Sequence, residues 1–413
     1  MEIAQINRLL AVAIKGGPLF PPRLPALGSL MKTVPSPGAV RSILITHVMH
    51  TAVEYIEKVN AVFPISRIIA IPYSMDPSAV ELLQSSGFNL VLPSSISDTF
   101  VRARNETIAA LNESPTQLIV QEVGGYLASY THEFARYRNF KGIVEDTNNG
   151  HWRYEKTGPH PCPVLSMAQS PLKYVEDTII GDAVMYSIER ILREDYCGIL
   201  QGARAAVIGF GKIGRSTAVS LKGRETVVSI YDINPAKDMS AKVEGFFPKP
   251  LHALLPESEI VVGCTGQTSI RDVEMPFIRD GAILASASSK DIEFALKAFA
   301  EKCTVENIAE HITKYIQPNG KVFYVLYNGS PVNFRDKSIL GTILDMIYCE
   351  LFVCMREVAA NRVDIGLQKS MPALQDEVAK AWLRAHSEDF SSAIDDKVWD
   401  YPKSLELGLP PSQ

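Results

Sequence analysis

The chain of 413 residues is 46% hydrophobic and 21% charged with a net charge of −5, the balance of a globular protein long enough for two or three cores. Acidic and basic residues are interspersed, which argues against a nucleic-acid or membrane-surface partner and for a small molecule. Six cysteines and eight histidines lack metal-ligand spacing and no apolar run approaches the ~18 residues of a membrane span, so a cytoplasmic protein with reduced thiols and no metal is expected.

Residues 1–40 read as a leader, a short helical piece and then prolines, wrapped on the surface of the adjoining domain. From Ser42, β-branched or apolar runs at 42–45, 67–71, 90–92, 117–121 and 142–144 alternate with helix-compatible stretches at 51–59, 77–86, 101–112 and 127–137. Strands alternating with helices predict a parallel, doubly wound sheet. The stretch 158–171 holds Pro159, Pro161, Pro163 and Pro171, which excludes one regular element and suggests a crossing or hinge. Ser170 is a good N-cap and Pro171 suits the first helical position, so a long helix is expected to about Arg193.

An apolar run at 205–208 then enters Gly209-Phe210-Gly211-Lys212-Ile213-Gly214, followed by a helical segment to about Lys222 and a β-rich run at 226–231 that ends on Asp232. Gly209 permits the tight turn, Gly211 lets the backbone approach a pyrophosphate, and Gly214 lets the helix pack close to the strand, so that helix N–H groups face the anion. Asp232 stands 18 residues past Gly214, where a carboxylate accepts hydrogen bonds from a ribose diol and repels a 2′-phosphate, favouring NAD over NADP. Three glycines alone also occur in unrelated α/β turns; both strands, the helix and the acid in register point to a dinucleotide.

Further strands are expected at 259–264, 282–287, 303–306 and 322–327. A helix-period pattern at 337–361 returns the chain to the first domain, a second helix lies near 374–386, and a tail occupies 399–413. The expected architecture is α/β with two doubly wound parallel-sheet domains: a split substrate domain at 41–178 plus 343–395, and an inserted Rossmann NAD-binding domain at 179–342. Residues 1–40 and 396–413 flank them. The site is expected in the cleft between the two domains, with hinges near 160–170 and 335–342.

Several stretches together resemble the S-adenosylhomocysteine hydrolase (adenosylhomocysteinase) family. Gly142-Ile143-Val144-Glu145-Asp146-Thr147-Asn148-Asn149-Gly150 is similar to its G-x-x-E-E-T-T-T-G segment, and Tyr327-Asn328-Gly329-Ser330-Pro331-Val332-Asn333 to its A-E-G-R-L-V-N. Between them lie Lys173 and Asp177, the glycine turn with Asp232, and Asn307 ahead of Tyr315 and Asn319-Gly320. The likeness runs from Ser42 to Asn333 and is that of a divergent member.

In that family, tightly held NAD oxidises the ribose 3′-hydroxyl of an adenosyl thioether, which acidifies the 4′ hydrogen. The 5′ thiol is then eliminated, water adds, and the ketone is reduced again. The resemblance places Lys173, Asp177 and Asp146 at the ribose hydroxyls. It sets Thr147, Asn148, Asn149, Thr265 and Asn307 at the cofactor beside Gly209, Gly211, Lys212, Ile213, Gly214 and Asp232. By themselves Lys173 and Asp177 also read as a surface i,i+4 ion pair, and residues 147–149 as a polar turn. His47 or Thr46 occupies the place of a histidine that handles the 4′/5′ proton. Thr51 fits the substrate pattern, and His50 stands for an acid that reads the adenine amino group. Glu122 or Val123 matches an aspartate before Gly124-Gly125.

The departures fall on one side. Ser289-Lys290 replaces a His-Phe that closes over the substrate, Arg335–Lys337 replaces a His-Pro-Ser, and the basic C-terminal tail that reaches a neighbouring subunit is replaced by 399–413. The resulting expectation is a homo-oligomeric enzyme, dimer or tetramer, that oxidises an adenosine-type nucleoside through bound NAD with altered 5′ chemistry. An ordinary adenosylhomocysteinase and a catalytically silent NAD-binding regulator are the alternatives. A hydroxy-acid dehydrogenase lacks support because no Arg, Glu, His arrangement of that kind surrounds the glycine turn.

Overall fold

The alternation at residues 42–144 forms parallel strands. The computed structural model describes residues 23–32, 40–288 and 292–387. Within them the N-terminal half contributes β1 (Val40–Val48), β2 (Ile65–Met75), β3 (Leu90–Val91), β4 (Gln117–Glu122), β5 (Phe140–Glu145) and β6 (Pro163–Ser166). The glycine-turn half contributes β7 (Arg204–Ile208), β8 (Val227–Tyr231), β9 (Phe247–Pro248), β10 (Ile260–Gly263), β11 (Ala282–Ser286), β12 (Thr304–Ala309), β13 (Ile312–Ile316) and β14 (Val322–Leu326). A last strand, β15 (Gly366–Lys369), returns to the first group.

The first sheet runs β15-β6-β5-β4-β1-β2-β3 and every pairing in it is parallel. Both faces are buried, as a parallel sheet requires: Ile43 and Ile45 pack on one side while Leu44 packs on the other. The second sheet runs β12-β13-β14-β11-β10-β7-β8-β9. Its centre is parallel, and β12, β13 and β14 add an antiparallel edge. In both sheets the strand order reverses direction beside the first strand, between β1 and β4 and between β7 and β10. Ligands of open α/β sheets bind at such switch points, beyond the carboxyl ends of the strands.

The fold is the expected α/β class with two sheets, and three local expectations change. The proline-rich stretch is not simply a connection, because Pro163–Ser166 is an interior strand held between β5 and β15. The crossing between sheets is made instead by one continuous helix, Pro171–Asp195, with Ser170 Oγ accepting from Leu172 N as its cap; the boundary at 178 falls inside it. The leader is not merely a surface wrap. Pro25–Met31 is a helix with Ala26, Leu27 and Leu30 buried, and its Ala26 and Leu27 N–H groups donate to Asp345.

Asp345 lies on the return helix Ile343–Ala359, which is buried on nearly all sides and packs on the first sheet's core. Among the described residues no helix is long and apolar enough to cross a membrane.

Candidate active site

Each glycine of the turn has a separate physical reason. Gly209 adopts φ +95°, and a Cβ there would lie 2.9 Å from the Cys264 carbonyl oxygen, where the loops after β7 and β10 diverge. A Cβ on Gly214 would meet the Gly209 carbonyl oxygen at 1.8 Å, so only glycine lets the helix Lys212–Lys222 start so close to the turn. A Cβ on Gly211 meets nothing within 4 Å. Its open side faces a cavity of about 860 Å³ lined by the turn, Asp232, Thr265 and Gly266.

Asp232, just past the end of β8, lines this cavity. Its carboxylate accepts from Phe210 N at 2.7 Å and Asn234 N at 2.8 Å, which ties the turn to the tip of β8. Across the cavity the buried Glu293 accepts from Thr265 N at 2.7 Å and Gly266 N at 2.6 Å. Sequence reasoning missed Glu293; a lone acid in a loop carries no spacing signal. This cradle, open above Gly211 and closed by an acid at the second strand, fits a dinucleotide.

A second cavity of about 200 Å³ shares Asn148, Asn149, Asp177, Ile213, Ala287 and Ser288 with the first. The carboxyl ends of both sheets feed it: His47 comes from β1, Asp146 from β5, and Ala287 from β11. At its centre Lys173 Nζ lies 2.9 Å from Asp146 Oδ1 and in direct contact with Glu176. Burial alone would lower the Lys173 pKa, but Asp146, Glu176 and Asp177 outweigh it and hold the ammonium well above its usual value. Burial pushes the Glu176 carboxyl up to about 7 against the pull of Lys173.

The alternative reading of Lys173 and Asp177 as a surface i,i+4 ion pair does not describe these contacts, since both residues are buried. Asp177 instead pairs with Lys212 of the glycine turn, Nζ to Oδ2 3.2 Å, and burial still raises its pKa. Glu176 was not singled out in the sequence, although its i,i+3 spacing from Lys173 was a signal that could have found it.

The surrounding loop is built to hold Asp146. Glu145 accepts from Gly124 N at 3.0 Å, Gly125 N at 2.8 Å, and Thr147 N and Oγ1 at 2.7 Å. Thr147 Oγ1 also accepts from Gly150 N as the cap of helix Asn148–Thr157. Gly150 is needed because a Cβ there would lie 2.1 Å from the Glu145 carboxyl. Thr147, Asn148 and Asn149 all line the second cavity.

His47 lines that cavity, with Nδ1 2.5 Å from Ser74 Oγ and the ring packed on Phe334. Burial pushes its pKa down to about 4, so it is neutral. Its neighbour Thr46, the competing candidate, is buried in β1 and lines neither cavity.

Thr51 lines the cavity, but His50 turns away to Ser78 Oγ at 2.5 Å and Asp76 at 3.7 Å. Glu122 also lies behind the cleft, accepting from Leu127 N and the Tyr154 hydroxyl, and Val123 is buried in the core. Asn307 is exposed on β12, an outer strand of its sheet, and accepts from Thr313 Oγ1. None of these four lines either cavity, because strand ends and edges placed them by topology rather than by sequence distance. Ser289-Lys290 and 399–413 lie outside the described residues.

A family model described as S-adenosyl-L-homocysteine hydrolase, NAD binding domain, matches residues 183–338, which enclose the turn, Asp232 and Thr265. The adenosylhomocysteinase of Saccharolobus solfataricus is 26% identical over 350 residues, covering 82% of this chain and 83% of that protein. The chain is similar to the adenosylhomocysteinases over most of its length, and residues 183–338 match their NAD-binding domain.

Other relatives cover less: the adenosylhomocysteinase of Thermotoga maritima is 27% identical over 63% of this chain and 65% of its own. An S-inosyl-L-homocysteine hydrolase of Methanopyrus kandleri is 28% identical over 46% of each. As in the adenosylhomocysteinase model, the second sheet of this chain is a Rossmann-type NAD-binding unit, and the turn leaves open space above Gly211.

Proposed function

We propose that this protein uses tightly bound NAD to oxidise the ribose 3′-hydroxyl of an adenosine-type nucleoside, and that its chemistry on the 5′ side differs from homocysteine release. The observation that carries the reading is Lys173, buried between two acids in a cavity that shares six lining residues with the cofactor cavity.

When bound, NAD supplies a hydride acceptor. Asp146 accepts hydrogen bonds from the ribose diol, and Lys173 takes the proton of the hydroxyl that loses hydride. Asp177, fixed by Lys212, keeps the end of the crossing helix against the cofactor side. His47, neutral and seated on Phe334, faces the sugar as a proton acceptor rather than as a cation. On the 5′ side, Arg335 and Asp336 are tied to Glu194 and Arg190 of the crossing helix, and Lys337 is the charged residue of that segment that reaches the cavity. This favours a 5′ group other than homocysteine.

We assign substrate handling to 41–178 plus 343–395 and NAD binding to 179–342, with closure about the two crossings, in a cytoplasmic homo-oligomer. The test is to load the protein with NAD, add adenosine or inosine, and record reduced-nicotinamide absorbance. Appearance of enzyme-bound NADH that is lost in Lys173→Ala supports oxidation. Absence of reduction with either nucleoside and with S-adenosylhomocysteine removes the reading in favour of a silent NAD-binding regulator.

A further inference from the structure

Lys173 poses a chemical problem that the oxidation must solve. An ammonium has no lone pair, so Lys173 takes the proton of a sugar hydroxyl only if it gives up one of its own. Two carboxylates touch it. Asp146 stands at the end of β5, on a loop whose neighbour Glu145 binds four donors and whose own N–H donates to Glu122 O at 3.1 Å. On the oxidation reading it is the acid that serves the ribose diol. Glu176 lies one turn along the same helix as Lys173, contacts Nζ directly, and lines the cavity.

We propose that Glu176 is the proton store of the site: Lys173 hands a proton to the Glu176 carboxylate as it takes the hydroxyl proton, and retrieves it when the sugar is reduced again. This rests on the oxidation reading above and adds a residue to it. The balance is complete. The substrate C–H and O–H bonds break, hydride passes to NAD⁺, the hydroxyl proton replaces the one leaving Nζ, and the Glu176 Oε–H bond forms. Two electrons leave the sugar and arrive on the nicotinamide, and no base from solvent is consumed.

The surroundings suit such a store. On its own helix Glu176 faces Lys173 and Asp177. From the other elements it faces Asp146 and, on the return helix, Tyr348, whose hydroxyl bonds with Thr51. Burial in that company keeps the protonated carboxyl accessible near neutrality, with its pKa up to about 7. A proton held on the protein is also protected from exchange with water while the ketone exists.

The test uses NAD-loaded protein and two variants, Glu176→Gln and Glu176→Asp, with single-turnover formation of bound NADH followed from about pH 5.5 to about pH 9. The unsubstituted protein shows whether any nucleoside is oxidised at all, which judges the function. The store is judged on the difference between variants.

In the unsubstituted protein the rate is expected to rise with pH through an ionisation near 7. In Glu176→Gln that ionisation disappears and the rate falls by ~10² or more, while NAD retention is unchanged. In Glu176→Asp the ionisation persists, displaced, with a rate within ~10-fold of the starting protein. A Glu176→Gln protein with the original profile overturns the proposal. If that variant does not fold, a Glu176→Asp profile identical in position to the original overturns it instead.

Discussion

Lys212 Nζ lies 3.2 Å from Asp177 Oδ2, so the glycine turn under the larger cavity is ion-paired with the helix end that carries Lys173. The pair stands at the seam between the two cavities, and both residues line the larger one. Gly181 on the same crossing helix donates to Ser216 Oγ at 3.0 Å, and a Cβ on Gly181 would lie 2.3 Å from the Ser216 carbonyl carbon. Together these contacts make the crossing helix ride on the Rossmann unit.

Lys212→Met leaves the Asp177 carboxylate with Lys173 as its nearest cation. Expected results are a stability loss of ~1–3 kcal/mol in urea titrations and a slower reduction of bound NAD by nucleoside. Unchanged values in both measurements contradict the seam's role.

The glycines separate folding from binding. Gly214→Ala drives a Cβ into the Gly209 carbonyl and should lower stability by ~3 kcal/mol or more, with NAD binding lost. Gly211→Ala has room in the fold, so its melting temperature should stay close to the starting value while NAD affinity falls ~10-fold or more. Thermal melts and NAD fluorescence titrations distinguish the two, and equal melting losses refute the assignment.

His47 contributes to the loss of stability in acid. Burial lowers its pKa to about 4 from 6.5, so the folded state binds this proton less well than the unfolded chain. Stability from this residue is therefore lost as pH falls from 6.5 through about 4, by roughly 3 kcal/mol at the acid end. His47→Gln should flatten that segment of a stability profile measured by urea unfolding; an unaltered slope shows that other groups dominate it.

Glu122 and Glu145 act in the opposite sense. Burial raises both carboxyls, and the Glu122 charge raises Glu145 further. A raised folded pKa means stability present below the unfolded value of about 4.3 and lost as pH rises toward about 7 for Glu122 and about 8 for Glu145. Glu122→Gln should lessen this decline. Glu145→Gln turns an amide toward the N–H groups of Gly124, Gly125 and Thr147 and should cost ~2–4 kcal/mol. Urea unfolding at several pH values checks both, and a steeper decline in Glu122→Gln contradicts the coupling.

The glycine turn was legible in the sequence because each glycine answers a constraint within a few residues of itself, and Asp232 ends the strand next in the chain. The doubly wound class was legible for a related reason: strands buried on both faces leave continuous apolar runs, and helices between them leave a different period. The return helix announced itself by its apolar repeat.

Tertiary structure alone decided the charge pattern of the site. Lys173 has acids at i+3 and i+4, and which of them it touches depends on where β5 delivers Asp146 and where the turn delivers Lys212. β6 and β15 are four residues each and pair across some two hundred residues, too short for periodicity to speak. Asn307 and Glu122 sat in plausible places along the chain, yet strand order carried one to a sheet edge and the other beneath the cleft. Local sterics are written in neighbouring residues, whereas the partner of a buried charge is set by what the fold brings within a few ångströms of it.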